Sequence, residues 1–294
     1  MQLSITTDYV TDHGDPEPYL RKIAEAGFTH LHWCHHWLSD FLYASSEIDQ
    51  IGRWLKEFGL AVLDVHGSEG IEKFWYSPHD YARRAGVELV KNRIDFTAQL
   101  GGDAVVMHAY PPTTAPAYAP FNDLAWDLLR RSLDELAPYA RERGIRIAIE
   151  NLVDFPGVAA GATTFAQAAD NWPLISRLCA TYAPDFLGVC YDPGHGNLGG
   201  DRMDGLMPLL DRLIVLHLNE NDGRGDQHHL LFSDNVDWAR LARLVARSAY
   251  SKPMSMEVSI KASGIDDETE FLAQAYATGQ KFAEMVDAAR ARTV

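Results

Sequence analysis

The chain has 294 residues, a hydrophobic content of 47% and a formal net charge of −15. This composition is typical of a folded protein with a sizeable core, and α/β barrels often occupy such a length, so we expect one domain over residues 1–294. The acidic balance disfavours nucleic acid as a partner, because phosphate backbones are bound chiefly by Lys and Arg. No uncharged apolar run of about 18 residues occurs, so the sequence predicts no membrane span.

The N-terminus and the cysteines bear on the cellular compartment. Residues 1–7 alternate between apolar and polar types and lack a basic segment or a small-residue cleavage site, so we expect no signal peptide. The three cysteines, Cys34, Cys179 and Cys190, are widely spaced and form no C-x-x-C motif. A reducing, cytoplasmic location is therefore the expectation.

Short apolar runs alternate with longer segments of helical periodicity about eight times along the chain. The predicted strands lie at 3–7, 29–33, 61–66, 104–108, 146–150, 187–192, 213–218 and 253–258. The predicted helices lie near 16–26, 47–58, 78–100, 121–143, 164–182, 203–210, 236–248 and 268–289. Gly27, Gly59 and Gly144 each follow a predicted helix and precede an apolar residue, which predicts helix C-caps that lead into strands.

Parallel strands joined by helices need right-handed crossovers, and eight such units close most economically into a (β/α)8 TIM barrel. An open doubly wound sheet is the alternative fold, but no G-x-G-x-x-G motif or P-loop follows the first strand. A proline-rich stretch at 110–120 follows the fourth strand and predicts a long loop over the mouth of the barrel. Either a rigid surface connection or a substrate cover fits this loop.

Four side chains of metal-ligand type end or nearly end successive predicted strands: Glu150, Asp192, His217 and Glu257. Burying an ionised carboxylate at such a position is costly unless a cation or a partner compensates it. Three carboxylates and one imidazole suit a divalent ion such as Mn²⁺, Zn²⁺, Co²⁺ or Mg²⁺. The sequence therefore predicts a metal site at the carboxyl ends of the strands.

A second group of polar side chains surrounds these four. They can bind additional metal ions, contact substrate hydroxyls or orient the metal ligands. The residues of this group are His66, His108, His195, Asp226 and His228. Trp33 and Trp37 with Phe41 are further candidates, for an apolar wall against a sugar ring or for ordinary core packing.

In these residues the chain resembles the xylose isomerase-like TIM barrels, which include sugar and sugar-phosphate isomerases and epimerases and the AP endonuclease family. Glu150 resembles the metal glutamate of the fifth strand, and Asp192 with His195 resembles the D-x-x-H of the sixth. His217 resembles the histidine of the seventh strand, and Glu257 the glutamate of the last.

The resemblance implies a divalent-metal-dependent sugar isomerase or epimerase that works through an enediolate. Glu150 and Glu257 would then remove and return the proton, while His66, His108, His195 and Trp33 contact the substrate. A lyase acting on an oxidised sugar would use the same chemistry, and a non-catalytic sugar-binding relative would bind without turnover. The expected partner is a small sugar, and assembly into a homo-oligomer stays open.

The endonuclease branch of the same superfamily implies an alternative function, a trinuclear zinc AP endonuclease or other phosphodiesterase. Its nine ligand types are all present, at His66, His108, Glu150, Asp192, His195, His217, Asp226, His228 and Glu257. The chain departs from the common pattern at Phe232 and Asp234, where glycines are usual. The loop at 34–43 contains no Lys or Arg for duplex phosphates, and no glycine-rich phosphate cradle is evident, so a small unphosphorylated polyol leads.

Overall fold

The computed structural model describes residues 2–10, 14–110, 123–153, 170–200 and 203–292, in which eight strands form one parallel sheet. The strand order is β7-β6-β5-β4-β3-β2-β1-β8, so neighbours in sequence are neighbours in space. The strands are β1 (Leu3–Thr6), β2 (His30–Trp33), β3 (Ala61–His66), β4 (Ala104–His108), β5 (Arg146–Glu150), β6 (Leu187–Tyr191), β7 (Leu213–Leu216) and β8 (Met254–Met256).

The two outer strands of this order, β7 and β8, meet just beyond the end of β7. Leu218 N donates to Ser255 O at 2.9 Å, and Glu257 N donates to Leu218 O at 3.0 Å. These bonds form a parallel bridge between Leu218 and Met256, which brings the sheet to near closure. The predicted (β/α)8 barrel is confirmed, and the open doubly wound alternative is wrong.

Helices follow the strands and cover the outside of the barrel. Most begin and end within a few residues of the predicted positions, and Gly27, Gly59 and Gly144 have the positive φ angles of 98°, 70° and 67° that helix ends favour. No helix in the described part of the chain is long and apolar enough to cross a membrane. The helices are α1 (Glu17–Glu25), α2 (Ser45–Phe58), α3 (Asp80–Leu100), α4 (Asp123–Glu142), α5 (Trp172–Thr181), α6 (Pro193–Gly199), α7 (Trp238–Arg247), α8 (Ile260–Ser263) and α9 (Glu268–Ala291).

The segment after β6 differs from the prediction. The predicted helix at 203–210 is wrong, because a 3-10 helix at Met207–Arg212 occupies this region and Leu209 inside it has a non-helical φ of −119°. The helix of this crossover is α6, which begins directly after Asp192. The sequence pattern that indicates the start of α6 is an Asp at the N-cap followed by Pro at the first helical position. Of the proline-rich stretch at 110–120, only Tyr110 lies within the described residues.

Side chains along the strands alternate between the barrel interior and the helices, and the interior has two unlike sides. Small apolar residues of β4 to β7 form one side: Ala104, Val106, Ala148, Cys190, Ile214 and Val215. The side beneath β1, β2, β3 and β8 is polar, with fully or almost fully buried Ser4, Thr6, His32, Asp64 and Ser255. Polar groups therefore continue inward from the mouth of the barrel instead of ending at its rim.

A close approach between α3 and the loop before it gives a prediction about stability. A Cβ added at Gly86 would lie 2.5 Å from Lys73 O and 2.6 Å from Trp75 N, both backbone atoms. Since backbone cannot swing aside, we expect Gly86→Ala to lower the free energy of unfolding by about 1–3 kcal/mol. Gly52→Ala is the matched control in α2, where the nearest atom would be a Leu100 methyl at 3.4 Å.

Gly52→Ala should be neutral or stabilise by up to about 1 kcal/mol, because alanine is the better helix former. Urea unfolding followed by circular dichroism measures both variants. Equal midpoints for the two would contradict the packing described for α3.

Candidate active site at the mouth of the barrel

A cavity of about 410 Å³ opens at the carboxyl ends of the strands. Its wall combines imidazoles, carboxylates and a few apolar side chains. The lining residues are Thr6, Asp8, Trp37, His66, His108, Tyr110, Glu150, Leu152, His195, Asp226, His228, Glu257, Val258 and Ser259. Seven of the nine residues of metal-ligand type singled out from the sequence therefore lie around one space, since β3, β4, β5, α6, the loop after β7 and the end of β8 converge there.

At the floor of this cavity, His217 lies between two carboxylates. Its Nδ1 is 3.2 Å from Glu150 Oε2 and 3.1 Å from Glu257 Oε2. His217 is fully buried, yet neither of its ring nitrogens has a hydrogen-bond partner of acceptable geometry. Ligands about 2.0–2.2 Å from a shared tetrahedral ion lie roughly 3.3 Å apart, so this donor set fits a divalent cation.

The charges of these groups favour the same interpretation. Burial raises the pKa of Glu150, but His217, His108 and His195 outweigh it and hold that pKa well below its usual range. Glu257 behaves alike, and its pKa falls to about 2 despite its burial. Burial lowers the pKa of His217, while Cys190 and the two glutamates raise it overall. Both glutamates are thus kept ionised, the form in which carboxylates bind metal.

Asp192 lies beneath the cavity and does not line it. The carboxylate is fully buried, and Oδ1 accepts from His195 N at 2.8 Å while Oδ2 accepts from Asn219 Nδ2 at 2.5 Å. Burial raises its pKa to about 7. In this structure the side chain caps α6 and so fixes His195 at the wall of the cavity.

Two further groups of metal-ligand type flank the floor. In the first, His66 Nε2 is 3.2 Å from His108 Nε2, which is 3.3 Å from Glu150 Oε2. In the second, Asp226 lies 3.1 Å from His228 Nε2 and 3.5 Å from His195 Nε2. The spacing of these atoms allows each group to hold a cation or to bind hydroxyl groups.

Protonation separates the two flanking groups. Burial and the neighbouring His108 lower the pKa of His66 to about 3, so its imidazole is neutral. Burial also lowers the pKa of His228, but the charge of Asp226 raises it to about 10 overall. The first group therefore presents a neutral imidazole, that of His66, to the cavity, whereas the second is an ion pair.

In the loop after β7, Phe232 and Asp234 stand where glycines are usual in the family. Phe232 has a φ of 68°, a left-handed conformation that glycine adopts more readily. Its ring packs against Trp238 with centroids 5.4 Å apart. Buried Glu220 accepts from Ser233 N at 3.0 Å and Val236 N at 2.8 Å, which ties the loop to the barrel. The loop thereby keeps Asp226 and His228 in the cavity.

The two predicted tryptophans have different surroundings. Trp37 lines the cavity, with its ring 4.5 Å from that of His66. Trp33 does not line it. Successive side chains on β2 alternate in direction, and that of Trp33 points away from the barrel interior, opposite to that of His32. Its ring lies 5.2 Å from that of Phe96 on α3. Its Nε1 donates to Tyr43 Oη at 2.9 Å. The structure thus places Trp37, and not the predicted Trp33, in the wall of the cavity.

Sequence reasoning missed two acidic or phenolic side chains of the cavity. Asp8 follows the end of β1, where Thr6 donates a hydrogen bond to it, and burial raises its pKa. Tyr110 follows the end of β4, and burial together with Glu69 raises its pKa strongly. Both stand just past a strand end, so the rule that found Glu150 and His217 could have found them.

The fold and the site define a TIM barrel with metal-ligand side chains around its mouth, and the comparison with known families agrees. The model of the xylose isomerase-like TIM barrel family matches residues 20–275. The chain belongs to this family.

The similar proteins include a relative matched by sequence and solved structures matched by fold. The uncharacterized protein y4fM of Sinorhizobium fredii (strain NBRC 101917 / NGR234) is 33% identical over 292 residues, covering 93% of this chain and 90% of its own. A solved D-tagatose 3-epimerase-like protein has 18% identity and a TM-score of 0.74, with 98% of each chain covered. A solved L-ribulose 3-epimerase has 15% identity and a TM-score of 0.76, with 100% of this chain and 97% of its own covered.

Proposed function

We propose that this protein is a divalent-metal-dependent isomerase or epimerase of an unphosphorylated keto-sugar. The observation that carries the proposal is the pair of ionised carboxylates, Glu150 and Glu257, on either side of His217 at the floor of the cavity. Membership of the xylose isomerase-like family supports it, as does the similarity in fold to structures named as sugar 3-epimerases.

Glu150, His217 and Glu257 would hold the ion, with Asp192 as the fourth ligand that the family resemblance implies. The bound cation supplies Lewis-acid stabilisation of the charge that develops on the substrate oxygens. Glu257 is the more exposed of the two glutamates, with 11% of its side chain accessible against 2% for Glu150. We therefore assign proton removal from the substrate carbon to Glu257.

The fate of that proton decides the reaction. In an epimerase, Glu150 takes up a proton from solvent and delivers it to the opposite face of the enediolate carbon, while Glu257 later releases the abstracted proton to solvent. Return of the abstracted proton from Glu257 to the neighbouring carbon gives an isomerase. His66, His108 and His195 line the cavity and would bind substrate hydroxyls. Both glutamates line this one cavity.

The charge of the wall argues for a substrate without phosphate. Among the described residues that line the cavity there is no Lys or Arg. The two longer segments that the structure does not describe, 111–122 and 154–169, contain neither residue in the sequence. A dianion would therefore face Glu150, Glu257 and Asp226 without a Lys or Arg among the described lining residues to compensate it.

A panel of ketopentoses, ketohexoses and their phosphate esters, incubated with Mn²⁺-loaded protein in deuterated water, tests the proposal. We expect at least one free ketose to gain deuterium next to its carbonyl and to form an epimer or aldose, and its phosphate ester to react more slowly. No exchange with any sugar under Mn²⁺, Co²⁺, Mg²⁺ or Zn²⁺ would sink the proposal.

A pair of tryptophan variants separates sugar binding from packing. Trp37→Ala, in the wall of the cavity beside His66, should raise KM about tenfold, since stacking on a sugar contributes roughly 1–2 kcal/mol. The unfolding temperature of this variant should change little. Trp33→Ala should instead lower the free energy of unfolding by about 3–5 kcal/mol, because that ring is fully buried. Steady-state kinetics and thermal unfolding measure both, and the reverse pattern would contradict the placement of the rings.

The two flanking groups of histidines and carboxylates favour a second candidate function, a trinuclear zinc hydrolase. His66 and His108 with Glu150, and His195 with Asp226 and His228, have the ligand types and spacing for two further ions. In that case the metal ions would activate water for attack on a phosphodiester. The number of ions that the protein binds separates this candidate from the epimerase.

A further inference from the structure

We propose that His32 is an additional ligand of the cation at Glu257 and His217, oriented by Asp64 and Lys252 beneath it. The inference rests on the proposed function only in requiring that a divalent ion binds at this floor. His32 lies inside β2 and not at its end, so it belongs to none of the ligand sets expected from the family resemblance.

The position of His32 places it directly below the floor of the cavity. Its ring is fully buried, and its centroid lies 4.2 Å from that of His217. Its Nε2 is 3.8 Å from Glu257 Oε1 and has no hydrogen-bond partner. The imidazole therefore aims an unsatisfied polar atom at a carboxylate that the proposed function already assigns to the ion.

The contact made by the other ring nitrogen of His32, Nδ1, determines whether Nε2 carries a proton or a lone pair. Nδ1 lies 2.6 Å from Asp64 Oδ1, and the carboxylate of Asp64 is fully buried. The Lys252 ammonium lies 3.5 Å from Asp64 Oδ2, so Asp64 has a cationic partner and its Oδ1 accepts a hydrogen bond from Nδ1–H of His32. In a neutral imidazole the lone pair then lies on Nε2, which is the ligand form of histidine.

Lys252 continues the arrangement towards the amino-terminal end of the barrel. Its Nζ is 3.5 Å from Asp64 Oδ2 and 2.5 Å from Asp103 Oδ1. The ammonium group offsets the charge of Asp64, which would otherwise be costly to bury in the barrel. A histidine that donates one N–H to a carboxylate and directs its other nitrogen to an ion is the usual arrangement of metal-bound imidazoles.

The contrast within the barrel strengthens the argument. The opposite side of the interior is filled by small apolar residues, which shows that this barrel can be packed without buried charge. On the polar side, Nε2 of His32 and Oε1 of Glu257 are two acceptors that face each other across 3.8 Å. A cation between them would satisfy both, and the two residues also occur in one group of metal-ligand type with Cys34.

The test is a titration of the full chain with Co²⁺, read by the visible absorption of the bound ion. We expect His32→Gln to weaken Co²⁺ binding by about 100-fold, because losing a group that only orients a metal ligand already costs about 10- to 100-fold. The visible spectrum should change as well, since the ion loses one nitrogen ligand. Asp64→Asn should weaken binding by about tenfold, because the ring is no longer held.

His30→Gln is the matched control. It lies two residues earlier on β2, is half-buried, and contacts Thr29 Oγ1 at 2.9 Å, so its loss should leave the Co²⁺ affinity and spectrum unchanged. Thermal unfolding without metal checks that each variant folds. If His32→Gln does not fold, the affinity of Asp64→Asn decides.

Each remaining outcome has a definite meaning. Wild-type affinity and spectrum in His32→Gln, or wild-type affinity in Asp64→Asn, would overturn the role of His32 and leave the proposed function intact. A wild-type protein that binds no Co²⁺ would overturn both, because the ion at Glu257 would then be absent as well.

Discussion

Glu257→Gln should lower kcat on the ketose substrate by at least about 10³-fold, because the change removes a proton-transfer group and a metal ligand together. General acid–base catalysis alone contributes roughly 10²–10⁴-fold. The amide keeps the size of the side chain but loses the charge that faces His217 Nδ1 at 3.1 Å. Deuterium uptake into the substrate, measured by NMR at saturating Mn²⁺, follows the proton transfer itself.

The control for this prediction is the same substitution on the outside of the barrel. Glu284 lies on α9, where it accepts a hydrogen bond from Gln280. Glu284→Gln should keep the wild-type rate of deuterium uptake. If Glu257→Gln retained more than about a tenth of that rate at saturating metal, another residue would have to move the proton.

Chelation of the metal should lower the unfolding temperature by roughly 5–10 °C, and Mn²⁺ should restore it. A ligand at 100 times its dissociation constant stabilises the folded state by about 2.7 kcal/mol, and 1 kcal/mol corresponds to about 2–4 °C for a chain of this size. The ion would stabilise the folded state by binding the ionised oxygens of Glu150 and Glu257, which lie on either side of His217. Differential scanning fluorimetry with and without a chelator measures the shift.

A double variant shows whether the shift arises at this floor. Without metal, Glu150→Gln combined with Glu257→Gln should unfold at a lower temperature than the wild type, because the histidines that hold the pKa of each glutamate low lose their anionic partners. Adding Mn²⁺ should then raise its unfolding temperature by less than about 2 °C. A shift as large as in the wild type would place the stabilising ion elsewhere.

The sequence predicted the barrel well because its signals are local and repeated. Each strand is a short apolar run, and glycines such as Gly59 end the helices with the left-handed backbone that the structure has. The position of the site followed from the same pattern. Since parallel strands end at the same rim, Glu150, His66 and His108 had to approach one another once the sheet closed.

The contacts between individual side chains could not be predicted in this way. Trp33 and Trp37 are both large aromatic residues near the end of β2, but Trp33 lies in the strand and packs towards α3, whereas Trp37 lies in the loop that follows, so only the second lines the cavity. Asp192 looks like any strand-end carboxylate, and only the geometry of α6 and Asn219 shows that its oxygens accept hydrogen bonds.

His32 and Asp64 escaped the sequence reasoning for a related reason. Both lie within strands, at positions that usually hold core residues, and no spacing in the sequence connects β2 with β3. Their pairing at 2.6 Å depends on the register in which His32 lies beside Asp64. The same holds for Lys252, which comes from the opposite end of the chain.

The number of divalent ions per chain, determined by elemental analysis of the purified protein, tests the central claim most directly. We predict about one ion in the wild type and none in the double variant of Glu150 and Glu257, as expected for a single cation at the floor of the cavity. Three zinc ions per chain would contradict the single-metal epimerase and make a phosphodiester such as abasic DNA the first substrate to assay.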